Sequence, residues 1–438
     1  MQGREAAEIR FCFETLGCKV NQFETQALET ILTARGHTAV RPGEGCQAVI
    51  INTCAVTAES GRKSRQAVRR LKKLEPGAVV AVCGCFSQLS PAETTSLGAD
   101  LVGGSGDRLR FADALERVVA DKTTQSLVDD ARARRIFEEL PAGRVAGRTR
   151  ALLKIEDGCD NFCAYCIIPY ARGPVRSMPP SRIADEAARL VADGCREIVL
   201  TGIEISSYGK DLTETATLLD AVEAAYSATP DARIRLGSLE PRTITPPFCA
   251  SLKALPNICD HFHLSLQSGS DATLRRMKRR YTTEDFFKAV TLLRDTFPKC
   301  GITADLIVGF PGESDTEFEE TLTFIKKCAF TGMHIFPYSI RPGTPAATMP
   351  QQVDKTVKAE RARRVTDAAR EMEQAFAGQF IGSVLEVLFE RETDMGTVGH
   401  AGNYLEVSVP DTGIRSRLLP VRVEALRDGI LTGKIAAP

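Results

Sequence analysis

The period of the apolar positions changes along the chain, and each change marks a change of architecture. From Glu8 to about Ala120, short apolar runs at Ile9 to Phe13, Ala48 to Asn52 and Ala78 to Val82 alternate with stretches of helical spacing such as Gln22 to Ala34 and Glu59 to Leu74. Strands that alternate with helices in this way predict a parallel sheet covered on both faces, a doubly wound α/β domain over residues 8–120. In such sheets the loops at the carboxyl ends of the strands converge on one crevice. Cys18, Cys54 and Cys85 each lie a few residues beyond one of the three strands. The fold is therefore expected to gather thiols that are far apart in sequence.

A second alternating block follows a stretch, residues 121–148, that is rich in Arg, Asp, Ala and Gly, lacks an apolar period and reads as an interdomain connection. Strands are predicted at Ala151 to Glu156, Glu197 to Thr201, Arg233 to Ser238, His261 to Leu266, Thr303 to Val308 and Gly332 to Tyr338. Helical stretches at Pro180 to Asp193, Thr217 to Tyr226, Pro246 to Leu255, Thr283 to Phe297 and Asp315 to Cys328 separate them. Six strands with crossover helices predict an incomplete parallel barrel over 149–376, with its chemistry at the carboxyl ends of the strands. Ala362, Val365, Ala369, Met372 and Phe376 then mark one apolar face of a helix expected to close against that barrel. From Gln379 the pattern turns to short alternating runs, Val384 to Phe389, Tyr404 to Val409 and Leu418 to Val423, between Gly, Asp and Asn turns. Residues 377–438 thus read as a small antiparallel β-barrel of the oligonucleotide-binding type.

Composition narrows the function classes. Lys+Arg and Asp+Glu each number 56 in 438 residues, so any site for a polyanion must be a local basic patch on a neutral body. The chain contains no apolar run of the ~20 residues a membrane span needs, and the opening MQGREAAEIR lacks the apolar core of a signal peptide. A cytoplasmic protein without membrane partners is expected. Fourteen cysteines in such a chain argue for metal or redox chemistry rather than a disulfide scaffold. Cys195, Cys249, Cys259, Cys300 and Cys328 are scattered and read as buried small hydrophobes.

The sharpest motif is Cys159-Asp-Asn-Phe-Cys163-Ala-Tyr-Cys166, directly after the first barrel strand. Three thiolates so spaced can hold one face of an iron–sulfur cluster and leave its fourth iron open. A structural zinc site takes four ligands, and no fourth Cys or His follows at zinc-like spacing. With Tyr165 before the last cysteine, the motif resembles the radical S-adenosylmethionine (SAM) superfamily, and the partial barrel suits that fold. The resemblance implies that SAM chelates the open iron of a 4Fe-4S cluster and is cleaved reductively to methionine and a 5′-deoxyadenosyl radical. Later strand ends supply candidate SAM contacts: Gly202 and Glu204, Ser238 and Glu240, Gln267 and Ser268, and Asp305.

Thr15-Leu-Gly-Cys18-Lys-Val-Asn-Gln22, Asn52-Thr-Cys54-Ala-Val and Gly84-Cys85-Phe-Ser-Gln88 narrow the resemblance to the methylthiotransferases within that superfamily. Carried over, Cys18, Cys54 and Cys85 are the ligands of an auxiliary 4Fe-4S cluster that delivers sulfur, and the terminal segment is similar to the TRAM β-barrel of that family. Cys12, Cys46 and Cys83 match no family motif; Cys83 offers a competing thiol, with packing its favoured role. The Cys-Lys-Val-Asn-Gln form resembles the branch acting on N6-threonylcarbamoyladenosine beside the tRNA anticodon. This implies a tRNA anticodon stem-loop as partner, with a low-potential electron donor and a sulfur source. Alternatives are methylthiotransferases acting on isopentenyladenosine in tRNA or on a ribosomal-protein aspartate, and a noncatalytic iron–sulfur RNA-binding protein. Two basic islands, Arg62 to Lys73 and Arg275 to Arg280, together with Arg172 and Arg176, are expected to meet RNA phosphate. His261 and His263 alternate on a strand and read as barrel lining or core rather than as ligands.

Overall fold

The computed structural model describes residues 8–142, 149–213, 215–394 and 396–436. Strands Arg10–Thr15, Ala48–Thr53 and Val79–Gly84 pair in parallel and form the centre of a six-stranded sheet. Successive side chains of a strand point to opposite faces, so both faces need cover. Phe11, Ile50 and Ala81 pack under the helices Lys19–Ala34 and Arg108–Asp121, through Phe23, Leu28, Phe111 and Leu115. Cys12, Val49, Ile51 and Val82 pack on the other face against Val68 and Leu71 of the helix Ala58–Leu74. Cys83 lies on the first of these faces, in the core with Phe111, and points away from the crevice where Cys85 begins a helix.

The stretch expected to connect two domains is packed as far as residue 142. Gln125–Ser126 adds a strand to the sheet, and Ala131, Phe137, Leu140 and Ala142 are buried. The rest of that stretch, 143–148, and residues 437–438 of the expected terminal barrel lie outside the described residues.

Strands Arg150–Lys154, Glu197–Thr201 and Arg233–Leu236 form one parallel sheet, and Ser238–Leu239, His261–Gln267, Gly301–Val308 and Gly332–Pro337 a second. The single strand expected from Arg233 to Ser238 is divided at Gly237. Its N–H donates to Leu200 O at 2.9 Å, back toward the first sheet, while Ser238 pairs with His263 in the second. The two sheets so joined make a six-stranded arc. The outer strands Arg150–Lys154 and Gly332–Pro337 do not pair with each other, and the arc is a partial barrel. The helix Lys355–Gly378 packs on its Gly332–Pro337 edge.

Five strands from Val384 to Ile435 close into the terminal barrel. It seats at the amino ends of the arc's strands, opposite the predicted cysteine loop. Arg150 pairs with Glu390 at 2.8 Å, Arg235 donates to Gly402 O at 2.8 Å, and Arg233 donates to His400 O at 3.0 Å. Tyr404 stacks between His261 and His400, its ring centroid 4.7 and 4.9 Å from theirs, with the Arg235 guanidinium 4.9 Å from it. The terminal barrel thus forms the floor of the arc.

Candidate active site

The strand Arg150–Lys154 leads through a short antiparallel pair, Glu156–Asp157 with Arg176–Ser177, into the cysteine loop. Backbone bonds pin the loop at each cysteine: Cys159 N–H to Gly173 O, Ala164 N–H to Met277 O and Cys166 N–H to Cys163 O, all at 3.0 Å. Burial pushes the Cys166 thiol up to about 12 and raises that of Cys159 as well. Three soft donors on one loop suit a cluster that takes them as thiolates and releases their protons. Arg279 donates to Cys163 Sγ at 3.1 Å, and its other nitrogen lies 3.5 Å from Glu240. This side chain, part of an island expected to meet RNA, instead supplies positive charge to the thiols. Tyr165 meets Phe310 edge-on.

An acidic group stands beside the loop. Glu204 accepts from Ser207 Oγ at 3.0 Å and Asn161 Nδ2 at 3.4 Å, and its N–H donates to Glu156 Oε2 at 2.8 Å. A Cβ at Gly202 would stand 2.6 Å from the same Glu156 oxygen, so only glycine allows this close approach. Glu156 Oε1 is buried without a hydrogen-bond partner. Burial raises the carboxyls of Glu156 and Glu204, and Glu240 raises that of Glu204 further. An ammonium group is the complement of such a set, and SAM carries one.

The remaining strand-end residues divide. Gln267 is left-handed at φ 66° and buried at its strand end. Ser268 is buried, 3.4 Å from Thr321 Oγ1, and accepts from Ser270 N–H. Ser238 and Asp305 are half-buried along the arc, and Asp305 lies 3.3 Å from His263 Nε2 in mid-strand, away from the cysteine loop.

The three N-terminal thiols also converge. Cys18 precedes the helix Lys19–Ala34, Cys54 follows the strand Ala48–Thr53, and Cys85 opens the helix Cys85–Leu89. Gly17, at φ 108°, lets the first loop lie on Cys54: a Cβ there would stand 2.9 Å from Cys54 Cβ and 3.0 Å from its Sγ. Asn21 secures this junction by donating to Leu16 O at 2.8 Å and Thr53 O at 3.0 Å. Burial pushes Cys85 up to about 12 against the opposing effect of Arg172, and the charges of Cys18 and Cys54 act on it too.

The two thiol sets flank one apolar cluster, in which Ala55, Cys85 and Phe86 pack against Cys159, Ile167, Ile168 and Ala171. Beneath this seam lies a buried ionic network that sequence reasoning missed. Glu24 receives Arg172 at 2.7 Å, Arg108 at 2.8 Å and Lys154 at 3.5 Å; Asp157 receives Arg172, Lys154 and Arg176 at 3.0, 3.2 and 3.5 Å. Arg172 and Arg176 were expected to contact RNA; both are buried and bound to carboxylates, which corrects that expectation. A charged residue in a helical pattern carries no sign of whether it will be buried, so single residues such as Glu24 gave no signal.

On the helix Ala58–Leu74, Arg62 pairs with Glu59, Arg70 with Glu14 and Arg65 with Glu93, while Lys72 donates to Gly98 O. Lys63, Arg69 and Lys73 are exposed and make no ion pair among the described residues. In the second island Arg276 pairs with Glu317, leaving Arg275, Lys278 and Arg280 exposed. Among the described residues no helix is long and apolar enough to cross a membrane.

Comparison with known proteins agrees with this architecture. Residues 153–325 match the radical SAM superfamily, and residues 10–104 match a family described as uncharacterized protein family UPF0004. The chain is 40% identical over 403 residues to the threonylcarbamoyladenosine tRNA methylthiotransferase MtaB of Bacillus subtilis, covering 90% of this chain and 89% of the relative. Its Thermotoga maritima namesake is 37% identical over 86% of each chain. The tRNA-2-methylthio-N(6)-dimethylallyladenosine synthase of Pelotomaculum thermopropionicum is 33% identical over 95% of each. Among solved structures, the radical SAM methyltransferase TsrM of Kitasatospora setae superposes with a TM-score of 0.57 at 15% identity, covering 78% of this chain and 74% of that one, a likeness of fold. With both domain matches in sequence order and relatives at this identity over nearly their whole length, the chain belongs to the MtaB family of radical SAM methylthiotransferases.

Proposed function

We propose that this enzyme replaces the C2 hydrogen of N6-threonylcarbamoyladenosine, beside the anticodon of tRNA, with a methylthio group. The observation that carries the reading is that Cys85 from one three-thiol set packs in the same apolar cluster as Cys159 and Cys166 from the other. The choice of substrate is supported by Gly17-Cys-Lys-Val-Asn-Gln22 and by the names of the relatives with 40% and 37% identity.

In this reading residues 8–120 hold the auxiliary 4Fe-4S cluster through Cys18, Cys54 and Cys85, and residues 149–376 hold the SAM cluster through Cys159, Cys163 and Cys166. Residues 377–438 form the TRAM-like barrel, and 121–148 connect the first two. Bound there, the clusters and SAM would supply the radical chemistry needed at C2, the sulfur atom and, from a second SAM, the methyl group. Glu204 and Glu240 receive the ammonium of SAM, and Gly202 gives it room against Glu156. Tyr165 and Phe310 wall the site, while Gln267 and Ser268 shape the strand end above it. Ser238 and Asp305 line the way taken by the base. Arg279 offsets thiolate charge at Cys163, and Tyr404 closes the floor.

Reductive cleavage consumes an electron and each product carries a sulfur away, so a low-potential electron donor and a sulfur source act with this cytoplasmic enzyme. Mass spectrometry of tRNA nucleosides tests the substrate. A strain lacking the gene should lose the methylthio form of threonylcarbamoyladenosine and keep methylthio-isopentenyladenosine. The opposite loss would support the second reading, which the dimethylallyladenosine relative at 33% identity favours.

A further inference from the structure

The inner face of the arc carries three donor side chains that the reaction as described leaves unused. Alternation along the strands sends Phe262, Leu264, Ala304 and Leu306 into the core. On the opposite face His263 and Asp305 are half-buried and His334 is exposed. Asp305 is in register with His334, and His263 with Thr303, so three adjacent strands deliver the set. One ring nitrogen of each histidine and a carboxylate oxygen of Asp305 all lie within 4.8 Å of one another. Bulky branched side chains usually fill a barrel interior; two imidazoles and a carboxylate are a different choice.

The separations suit a bridging cation better than a direct ion pair. His263 Nε2 stands 3.3 Å from Asp305 Oδ2, longer than the ~2.7–2.9 Å of a charged N–H···O bond. Ligand atoms ~2.0–2.1 Å from a tetrahedral zinc stand about 3.3–3.4 Å from each other. The other nitrogen of His263, Nδ1, lies 2.9 Å from Thr303 Oγ1, and that hydroxyl lies 3.0 Å from His261 Nε2. With one proton, the hydroxyl can donate to only one of the two rings. When it donates to His261, the Nδ1–H of His263 donates to Thr303, and Nε2 turns its lone pair toward Asp305. Such a bond on the far nitrogen fixes the tautomer and the ring of a metal-binding histidine. Among the described residues Asp305 makes no ion pair with Lys or Arg. The His334 ring, 5.6 Å from that of His263, is likewise held by no hydrogen bond among the described residues against turning toward the pair.

The donor types indicate the metal. Imidazole suits zinc, copper, iron and nickel, whereas magnesium and calcium take oxygen. Three protein donors with a fourth position left over make the ligand count of an open zinc site, and the exposure of His334 puts that position toward the lumen. Cys12, Cys46 and Glu75 form another three-donor group, in the first domain, with the two sulfurs 3.7 Å apart. Thiols there would add sulfur to the shell of a bound metal, which tells the two groups apart.

We propose that His263, Asp305 and His334 form a site for a divalent first-row cation of the zinc class, with Thr303 holding His263 in place and one position open to the lumen. The site uses none of the six cluster thiols and does not depend on which nucleoside is the substrate. The test uses full-length protein with both clusters reconstituted, incubated with zinc(II), which displaces iron(II) left from reconstitution, and freed of excess by gel filtration. Wild type should retain about one zinc per chain beside its clusters, and X-ray absorption at the zinc edge should show nitrogen and oxygen at ~2.0–2.1 Å. His334→Ala and Asp305→Asn should each bind zinc more weakly by about tenfold or more, and Thr303→Val, which removes no donor to the metal, by about tenfold. Iron content and circular dichroism equal to wild type show that a variant is folded with its clusters loaded. The exposed His334 ring can be truncated without opening the core, so His334→Ala decides the matter even where Asp305→Asn misfolds. Wild type that retains no zinc, a shell of sulfur alone at ~2.3 Å, or a folded His334→Ala that binds zinc as wild type does would each overturn the site.

Discussion

Arg172 carries its guanidinium from the barrel's cysteine loop into the first domain, where Nη1 lies 2.7 Å from Oε1 of Glu24 and both side chains are fully buried. Around this pair, Arg108, Lys154 and Arg176 outnumber the carboxylates, since among the described residues only Asp157 joins Glu24 in ion pairs with them. The charge of Arg172 favours ionisation of Cys18 and Cys85, and that of Glu24 opposes it. These two thiols thus lie beside a cation already buried and paired. One network therefore joins the two domains and brings the charge of Arg172 to both thiols.

Removing one member of a buried pair leaves the other charge unpaired, which costs about 3–5 kcal/mol. Arg172→Met leaves Glu24 with Arg108 and Lys154 and Asp157 with Lys154 and Arg176, so the unfolding free energy should fall by less than that, by about 1.5–3 kcal/mol for the lost charged hydrogen bonds. Urea unfolding of the apoprotein, followed at constant slope, reads the loss directly. A change below about 1 kcal/mol, the range of exposed pairs, would mean that Glu24 and Asp157 are satisfied by the other cations alone.

Acid should act on the same network. Burial alone would push the Glu24 carboxyl up, but Arg172, Arg108 and Lys154 outweigh it and hold the group at about 2. A carboxyl depressed in the folded state contributes stability that is present above its unfolded pKa of about 4.3 and lost as pH falls through the folded value. Stability should decline from about pH 4.5 toward about 2, and Glu24→Gln should flatten that decline. Thermal midpoints of both proteins across this range check the sign.

The period of the apolar residues made the strands and helices legible, and the spacing of Cys159, Cys163 and Cys166 made one thiol set legible. Cys18, Cys54 and Cys85 were readable through the motifs around them and through topology, because convergence of the loops is a property of parallel sheets and not of sequence distance. The division of the strand at Gly237 was not readable: an arc that bends there keeps the same apolar period. Nor was the fate of single charges. Arg172 and Arg279 look like surface cations in sequence, and only the arrival of Glu24 and Cys163 from distant segments makes them internal. The same holds for His263, Asp305 and His334, which three separate strands bring within 4.8 Å of one another.

The helix Ala58–Leu74 should meet tRNA through the cations it does not spend on intramolecular pairs. Replacing Lys63, Arg69 and Lys73 with Ala should weaken binding and lower the slope of log K against log salt by about 2 to 3, as fewer counterions are released. Replacing Arg62 and Arg70, which pair with Glu59 and Glu14, should lower it by less. Equal slopes for all three proteins in a salt titration would assign the helix to solvated surface.

The two thiol sets should be separable in function. Each set of three suits one four-iron cluster, so anaerobically reconstituted protein should hold about eight irons per chain and either triple variant about four. Cys159, Cys163 and Cys166 stand beside Tyr165, Glu204 and Glu240 and are assigned to radical formation; Cys18, Cys54 and Cys85 stand on the other side of the apolar seam and are assigned to sulfur delivery. Changing the N-terminal three to Ala should leave 5′-deoxyadenosine detectable after addition of SAM and reductant while abolishing methylthiolated nucleoside. Changing the barrel three to Ala should abolish both. The shared cluster of Ala55, Cys85, Phe86, Cys159 and Ile168 makes some loss of stability expected in either variant, so circular dichroism must first establish that both are folded. Folded protein without the N-terminal thiols that still forms methylthiolated nucleoside would show that sulfur reaches the base by another route.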